Sequence, residues 1–185
     1  MKIQKQKRID YDSIGYGESN GWRPMYDWNK TKKAIRAGNI AAVVIISITV
    51  YYPARQASTL LVCMSALAYL LVVIPIHEVL LLAACTPNVF SDKCHIFVGF
   101  SGVSAFYDGE IPRGRSLLSL LLPFAVITVA FVCLGIIARD LWVYAAIIAM
   151  LNAGGSWTDI YMFFHVLKNV PKKAVVYGNR YHVQK

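Results

Sequence analysis

Charged residues are scarce in this sequence. They make up 16% of the 185 residues, whereas 57% of the residues are hydrophobic. A soluble domain usually carries about 25% charged residues, and with so few polar groups a soluble protein of this size could hardly cover its surface. The composition therefore predicts one compact integral membrane domain, with the lipid bilayer as its first partner.

Acidic residues are scarcer than basic ones, and the basic residues are unevenly placed. The chain has 19 Lys and Arg against 10 Asp and Glu, and its net charge is +9. Nine of the basic residues fall in residues 1–36, three in the loop 86–115 and five in the tail 168–185. Nucleic-acid binding would need a basic surface on a soluble domain, and none is visible, so no nucleic acid is expected as a partner. Because Lys and Arg concentrate on the cytoplasmic side of membrane proteins, the three regions are predicted to be cytoplasmic.

The sequence also lacks paired cysteine spacing. The four cysteines show no CxxC pattern, and three of them lie in or beside apolar runs; they are Cys63, Cys85, Cys94 and Cys133. This placement favours buried apolar side chains over disulfides or a zinc knuckle.

Long apolar runs are what the sequence does contain. Four segments stand out, at about 37–52, 57–85, 116–138 and 141–167. The two short hairpins that join them in pairs carry one basic residue each, Arg55 and Arg139. We therefore predict an all-α integral membrane fold with four transmembrane helices. The membrane domain covers residues 37–167, between an N-terminal segment (1–36) and a basic tail (168–185). The protein is expected to be multi-pass in the cell membrane, with both termini cytoplasmic.

The cytoplasmic loop 86–115 has a different character. The stretches "IFVGF" and "VSAFY" flank Ser101-Gly102 and predict a small β-hairpin between the second and third helices. Such a hairpin has to satisfy its edges at the interface or against the helices. One edge could bind an unwound peptide, although a plain connector fits the same residues.

Few ionisable side chains lie inside the predicted spans. His77 and Glu78 belong to the second span, and Asp159 and His165 belong to the fourth. Helical spacing allows His77 to face a polar stripe on the fourth span that ends in Asp159. Two interpretations are open. Either His77 and Asp159 are metal ligands with Glu78 as general base, or His77 and Asp159 form a hydrogen-bonded clasp between helices.

Three stretches carry a resemblance to a known family. They are "IPIHEVLL", "SAFYDGEIPRGRSLLSLLLPFAVIT" and "NAGGSWTDIYMFFHVLKNVPKKAVV", in this order along the chain, and the resemblance covers roughly residues 40–176. The chain resembles the membrane zincin peptidases of bacteria, a family akin to site-2-type intramembrane metalloproteases. The stretches correspond to the family's HExxH motif, to its tyrosine-containing loop with the following span, and to its helix of small residues ending in Asp.

The resemblance implies zinc as the cofactor. His77 corresponds to the first histidine, Glu78 to the catalytic glutamate, which is the general base if the protein is active, and Asp159 to the distal aspartate ligand. Leu81 stands where the second histidine is expected, so the motif is degenerate. A leucine cannot ligate zinc, and this loss argues against a bound metal.

Three functions follow as alternatives. The first is a non-catalytic pseudoprotease that binds a membrane-embedded peptide or protein. The second is an active intramembrane zinc protease with an unusual third ligand, such as His95 or Cys94. The third is a small membrane accessory or immunity-type protein.

Overall fold

Four helical runs make up most of the chain. The computed structural model describes residues 2–4, 14–56, 58–99 and 102–183. The runs comprise α1 (Trp28–Gln56), α2 (Thr59–Ala68) continuing through a π-helical turn (Tyr69–Val73) into α3 (Ile74–Cys85), α4 (Arg113–Ile137), and α5 (Trp142–Gly155) followed by α6 (Trp157–Asn169).

The helical runs occupy the four apolar segments of the sequence, but not all of them qualify as spans. Two are long and apolar enough to cross a bilayer, Thr59–Cys85 with 27 residues and Arg113–Ile137 with 25. Only 11% of the most apolar window of each is buried within the protein, so most of this apolar surface is free to face lipid. That the first and fourth runs also cross a membrane stays a prediction.

The second run is continuous despite its proline. Pro75 has no N–H to donate, and its ring would clash with a carbonyl of the preceding turn in a regular helix. The π-helical turn Tyr69–Val73 ends two residues before Pro75, which takes one of the first positions of α3. The wider turn absorbs the irregularity, and it also brings Tyr69 to the inner side of the bundle beside Val73.

The fourth run is interrupted at Ser156. The helix α5 ends at Gly155, where the Ser156 N–H donates to the Asn152 carbonyl at 2.9 Å, and α6 begins at Trp157. A single helix over 141–167 was expected, so the break is a correction. Two successive glycines weaken the helix at this point, since they lose more conformational entropy than other residues.

The predicted hairpin is present in the second loop. Strands β3 (Cys94–Gly99) and β4 (Gly102–Tyr107) pair antiparallel, with Ile96 opposite Ala105. A further strand, β1 (Lys2–Gln4), pairs parallel with β3, and the order of the sheet is β1-β3-β4. Strand β4 therefore lies at the edge of this sheet.

A second sheet corrects the all-α prediction. Its strands are β2 (Arg23–Pro24), β5 (Ile111–Pro112), β6 (Ala174–Tyr177) and β7 (Arg180–Val183), in the order β2-β7-β6-β5. The N-terminal segment, the 86–115 loop and the tail each contribute to it. These are the three basic regions of the sequence, and their pairing places them together at one end of the helices.

Two arginines fasten this end of the bundle. The Arg113 Nη2 donates to the Leu167 carbonyl at 2.8 Å, and the Arg115 Nη1 donates to the Cys85 carbonyl at 3.2 Å. Both acceptors lie at or near the C-terminal end of a helix, where carbonyls lack helical partners and the helix dipole favours a cation. The start of α4 is thereby tied to the ends of α3 and α6.

Candidate functional site between α3, α6 and β4

His77 and Asp159 meet between α3 and α6. The His77 Nε2 lies 3.0 Å from the Asp159 Oδ2, a hydrogen bond in which the imidazole donates to the carboxylate. Their side chains are 13% and 22% exposed. The helix α3 packs mainly against α4 and β4, and its backbone has little contact with that of α6. The His77–Asp159 bond is therefore a side-chain link between α3 and α6. The break at Ser156 matters here, since it starts α6 just before Asp159.

Asn152 supports His77 from α5. Its side chain is buried, and its Nδ2 donates to the Thr128 Oγ1 at 3.0 Å and to the Phe124 carbonyl at 3.4 Å on α4. Asn152 and His77 line the same cavity, and the buried amide ties α5 to α4 beside the imidazole.

Glu78 lies in the same cavity and bonds to the hairpin. Its Oε2 accepts a hydrogen bond of 2.6 Å from the backbone N–H of Ala105 on β4. A short bond to a carboxylate is among the stronger hydrogen bonds in proteins. The side chain expected from the sequence to be the general base is therefore engaged by the hairpin.

Tyr69 completes the site and was not expected from the sequence. Its hydroxyl lies against the backbone of Gly155, where an added Cβ would overlap the Tyr69 oxygen, and the ring lies near Asp159. The glycine pair in "NAGGSW" leaves room for a neighbouring group to approach closely. The approaching group is an aromatic side chain, and the π-helical turn that directs it here has no sequence signature.

Two cavities flank the Glu78–Ala105 bond. A polar cavity of about 290 Å³ is lined by Tyr69, His77, Glu78, Val103, Asn152, Thr158 and Asp159, among others. A cavity of about 340 Å³, named the apolar cavity after the side chains that predominate in its lining, is lined by Met25, Leu81, Cys85, Ala105, Tyr107, Leu120 and Val166, and also by Ser116, Ser119 and Asn179. The strand β4 and the helix α3 contribute residues to both.

Leu81 faces the apolar cavity. It packs against a buried cluster that includes Met25, Cys85, Ile111 and Val166. The position four residues after His77 therefore belongs to the hydrophobic packing beneath the hairpin.

The other residues considered as ligands lie elsewhere. The His95 Nε2 is 4.0 Å from the Asp108 Oδ2, and the Cys94 Sγ contacts Ser91. The His165 Nε2 bonds to the Met25 carbonyl at 2.9 Å. The polar partners found for these side chains lie outside the pair of His77 and Asp159.

The residues present do not fit a zinc ion. Catalytic zinc sites use three protein ligands and leave a fourth position for water. Here one imidazole and one carboxylate contact each other, Glu78 bonds to Ala105, and Leu81 offers no donor. Among the residues that the structure describes, no group of three His, Cys, Asp or Glu side chains is arranged to hold a metal.

Comparison with known proteins identifies one family. The family model described as "Putative zincin peptidase" matches residues 70–175, more than half of the chain. The matched region runs from the π-helical turn to the second sheet and contains all the residues of the polar cavity except Tyr69. No curated protein and no solved structure matches the chain.

Proposed function

We propose that this chain, which belongs to the zincin peptidase family, is a non-catalytic member of it. In this proposal the protein binds an extended segment of a membrane-embedded peptide or protein. The observation that carries the proposal is the packing of Leu81 into an apolar cluster, at the position where the resemblance implies the second zinc histidine. Hydrolysis by a zinc peptidase depends on its metal ligands, and in this chain the apolar side chain of Leu81 stands in place of one of them.

The loss of one ligand removes the catalytic chemistry. A catalytic zinc lowers the pKa of its bound water to about 7, and a general base then acts on that water. Glu78 has no such water to act on without a metal, and its carboxylate is held by Ala105 at 2.6 Å. In our proposal, His77 and Asp159 serve as a polar clasp across the cavity, at the distance of 3.0 Å that they show.

The binding role rests on the outer edge of β4. Ala105 directs its N–H to Glu78, whereas the Asp108 N–H bonds to the Lys93 carbonyl on the side of β3. Backbone groups alternate between the two sides of a strand, so Val103, Ala105 and Tyr107 present theirs outward. An unwound peptide could add to this edge as a strand, with side chains entering the cavities on either side.

The membrane setting follows from the apolar helices and the charge pattern. The two qualifying helices expose most of their apolar surface, and the basic regions meet at the sheet end of the bundle. We propose a multi-pass protein of the cell membrane in which the sheet end and both termini are cytoplasmic. The polar cavity would then lie near the cytoplasmic boundary. Glu78 is seven residues, or about 10 Å of helix, before Cys85 at the end of α3.

A second candidate function is an active zinc protease. The pairing of His77 with Asp159 beside Glu78 favours it, because a purely structural helix has no need of that carboxylate. It requires a third ligand that moves into the site, for which His95 on β3 is the candidate.

The metal content of the purified protein separates the two candidates. We expect protein purified in detergent to carry well below one zinc per chain by elemental analysis, and His77→Ala to leave that value unchanged. About one zinc per chain, lost in both His77→Ala and Asp159→Ala but retained in His165→Ala, would overturn the non-catalytic function. Loss in His95→Ala as well would identify the third ligand.

A further inference from the structure

The two cavities are neighbours along one strand. Val103 lines the polar cavity, and Ala105, two residues further along β4, lines the apolar one. On the facing helix, Glu78 lines the polar cavity and Leu81 the apolar one, less than one turn away. The Glu78–Ala105 hydrogen bond therefore joins a residue of the polar cavity to a residue of the apolar one.

This bond occupies a position that a paired strand would use. In an antiparallel or parallel sheet, the outward N–H of Ala105 would donate to a carbonyl of the neighbouring strand. The Glu78 carboxylate takes the place of that carbonyl at 2.6 Å. As long as the bond stands, the edge of β4 is closed at its centre.

We propose that Glu78 is a gate on the β4 edge: an extended peptide binds only when it displaces the Glu78 carboxylate from the Ala105 N–H and so joins the two cavities into one groove. This regulation rests on the peptide-binding function proposed above. The former general base thereby acquires a role in controlling access, which accounts for its retention beside a metal site that is incomplete.

The cavities define the chemistry of the occupant. One takes an apolar side chain, among Met25, Leu81, Leu120 and Val166, and the other offers His77, Thr158 and Asp159 to a small polar one. Side chains on one face of a strand are about 7 Å apart, the spacing of Val103 and Ala105. The expected occupant is an extended segment with an apolar and a small polar residue two positions apart, and with no proline between them.

Photocrosslinking with a defined peptide tests the gate. The probe is an end-blocked octapeptide, Thr-Val-Leu-Val-Thr-Val-Leu-Val, with a diazirine analogue at the first leucine. The matched control peptide has proline in place of the central valine. Full-length protein in detergent is labelled as wild type, Glu78→Ala, Glu78→Gln and Glu110→Ala, the last being an exposed glutamate of the loop. Circular dichroism and gel filtration establish that each variant is folded.

We expect labelling of β4 and of the apolar cavity, at half-saturating concentrations about tenfold lower in Glu78→Ala than in wild type. Glu78→Gln keeps a neutral acceptor, so its shift should be about threefold. Glu110→Ala should match wild type, and the proline peptide should not label.

The outcomes distinguish the gate from the peptide-binding function on which it rests. Labelling of β4 at equal concentrations in all variants, or weaker labelling in Glu78→Ala, would overturn the gate and leave the peptide-binding function standing. No labelling of β4 in any variant, Glu78→Ala included, would overturn both. A dimer in gel filtration that the added peptide dissociates would mean that the edge pairs with a second copy, and would also overturn the gate.

Discussion

The carboxylate of Glu78 accepts a hydrogen bond of 2.6 Å from the backbone N–H of Ala105, across the gap between α3 and the edge of β4. This contact joins the most polar position of an apolar helix to the hairpin. It satisfies a partly buried edge amide, and such an N–H is costly to leave without a partner.

Amide exchange measures this contact directly. In Glu78→Ala we expect the Ala105 amide to exchange at least about tenfold faster, because the bond to a carboxylate contributes about 1.5–3 kcal/mol. Hydrogen–deuterium exchange with mass spectrometry would detect the change in fragments that contain β4. Glu110→Ala is the control, and unchanged exchange in Glu78→Ala would mean that Ala105 is protected by another group.

The His77–Asp159 bond should appear as a coupling free energy. His77→Ala and Asp159→Ala each leave a partly buried polar partner behind, so each should lower the free energy of unfolding by about 1–3 kcal/mol. The double variant should cost less than the sum, with a coupling of about 1–2 kcal/mol. Unfolding in mixed micelles provides the four values. Additivity within about 0.3 kcal/mol would show that the pair does not hold α3 to α6.

Much of this architecture could be predicted from the sequence, because a long apolar stretch indicates a helix over many residues at once. Four apolar stretches gave four helical runs, and β-branched residues around Ser101-Gly102 gave the hairpin. The second sheet could not be foreseen, since two of its strands have two residues each and its partners lie up to about 160 positions apart. Such short strands carry no alternation, and only tertiary packing pairs them.

The candidate site, too, could be predicted only in part from the sequence. His77, Glu78 and Asp159 are visible as ionisable residues in apolar helices, and spacing alone brings His77 towards Asp159. The bond of Glu78 to Ala105 joins a side chain to a backbone amide. Every residue except proline has such an amide, so the sequence does not indicate which one a side chain will bond. Tyr69 reaches the site through a π-helical turn, which local propensity does not encode.

Gly155 should be intolerant of a side chain because of Tyr69. An added Cβ would overlap the Tyr69 hydroxyl oxygen, whereas the next ring atom is 3.4 Å away. Gly155→Ala should therefore lower the free energy of unfolding by about 1–3 kcal/mol, as overpacking does, and Tyr69→Phe should restore most of it. Gly114→Ala is the control, because nothing lies within 4 Å of its added Cβ and it should be neutral or slightly stabilising. Equal costs in Gly155→Ala with and without Tyr69→Phe would place the strain elsewhere.

The orientation in the membrane can be read with reporters. A fluorescent protein fused after Lys185 should fold in the cytoplasm, and alkaline phosphatase inserted at Arg55 or Arg139 should be active outside it. The expectation rests on the basic regions that meet in the second sheet. Active phosphatase at the C-terminus, with inactive insertions at both hairpins, would reverse the topology.

Leu81→His asks whether one residue separates this chain from a metal site. An imidazole at this position would share a helix face with His77, one turn away, and could complete a set with His77 and Asp159. We expect the variant to bind close to one zinc per chain by elemental analysis after dialysis, and to lose it again in Asp159→Ala. The same substitution will weaken the packing around Met25 and Val166, so the apo form should unfold at a lower temperature.

Val79→His is the matched control, because Val79 is exposed on another face of α3 and its imidazole cannot reach the pair. If Leu81→His folds but binds no more zinc than Val79→His does, then the chain differs from a metal site in more than this ligand. The closed position of Glu78 on Ala105 would be the next contact to remove, in a Leu81→His, Ala105→Pro double variant that lacks the N–H holding the carboxylate.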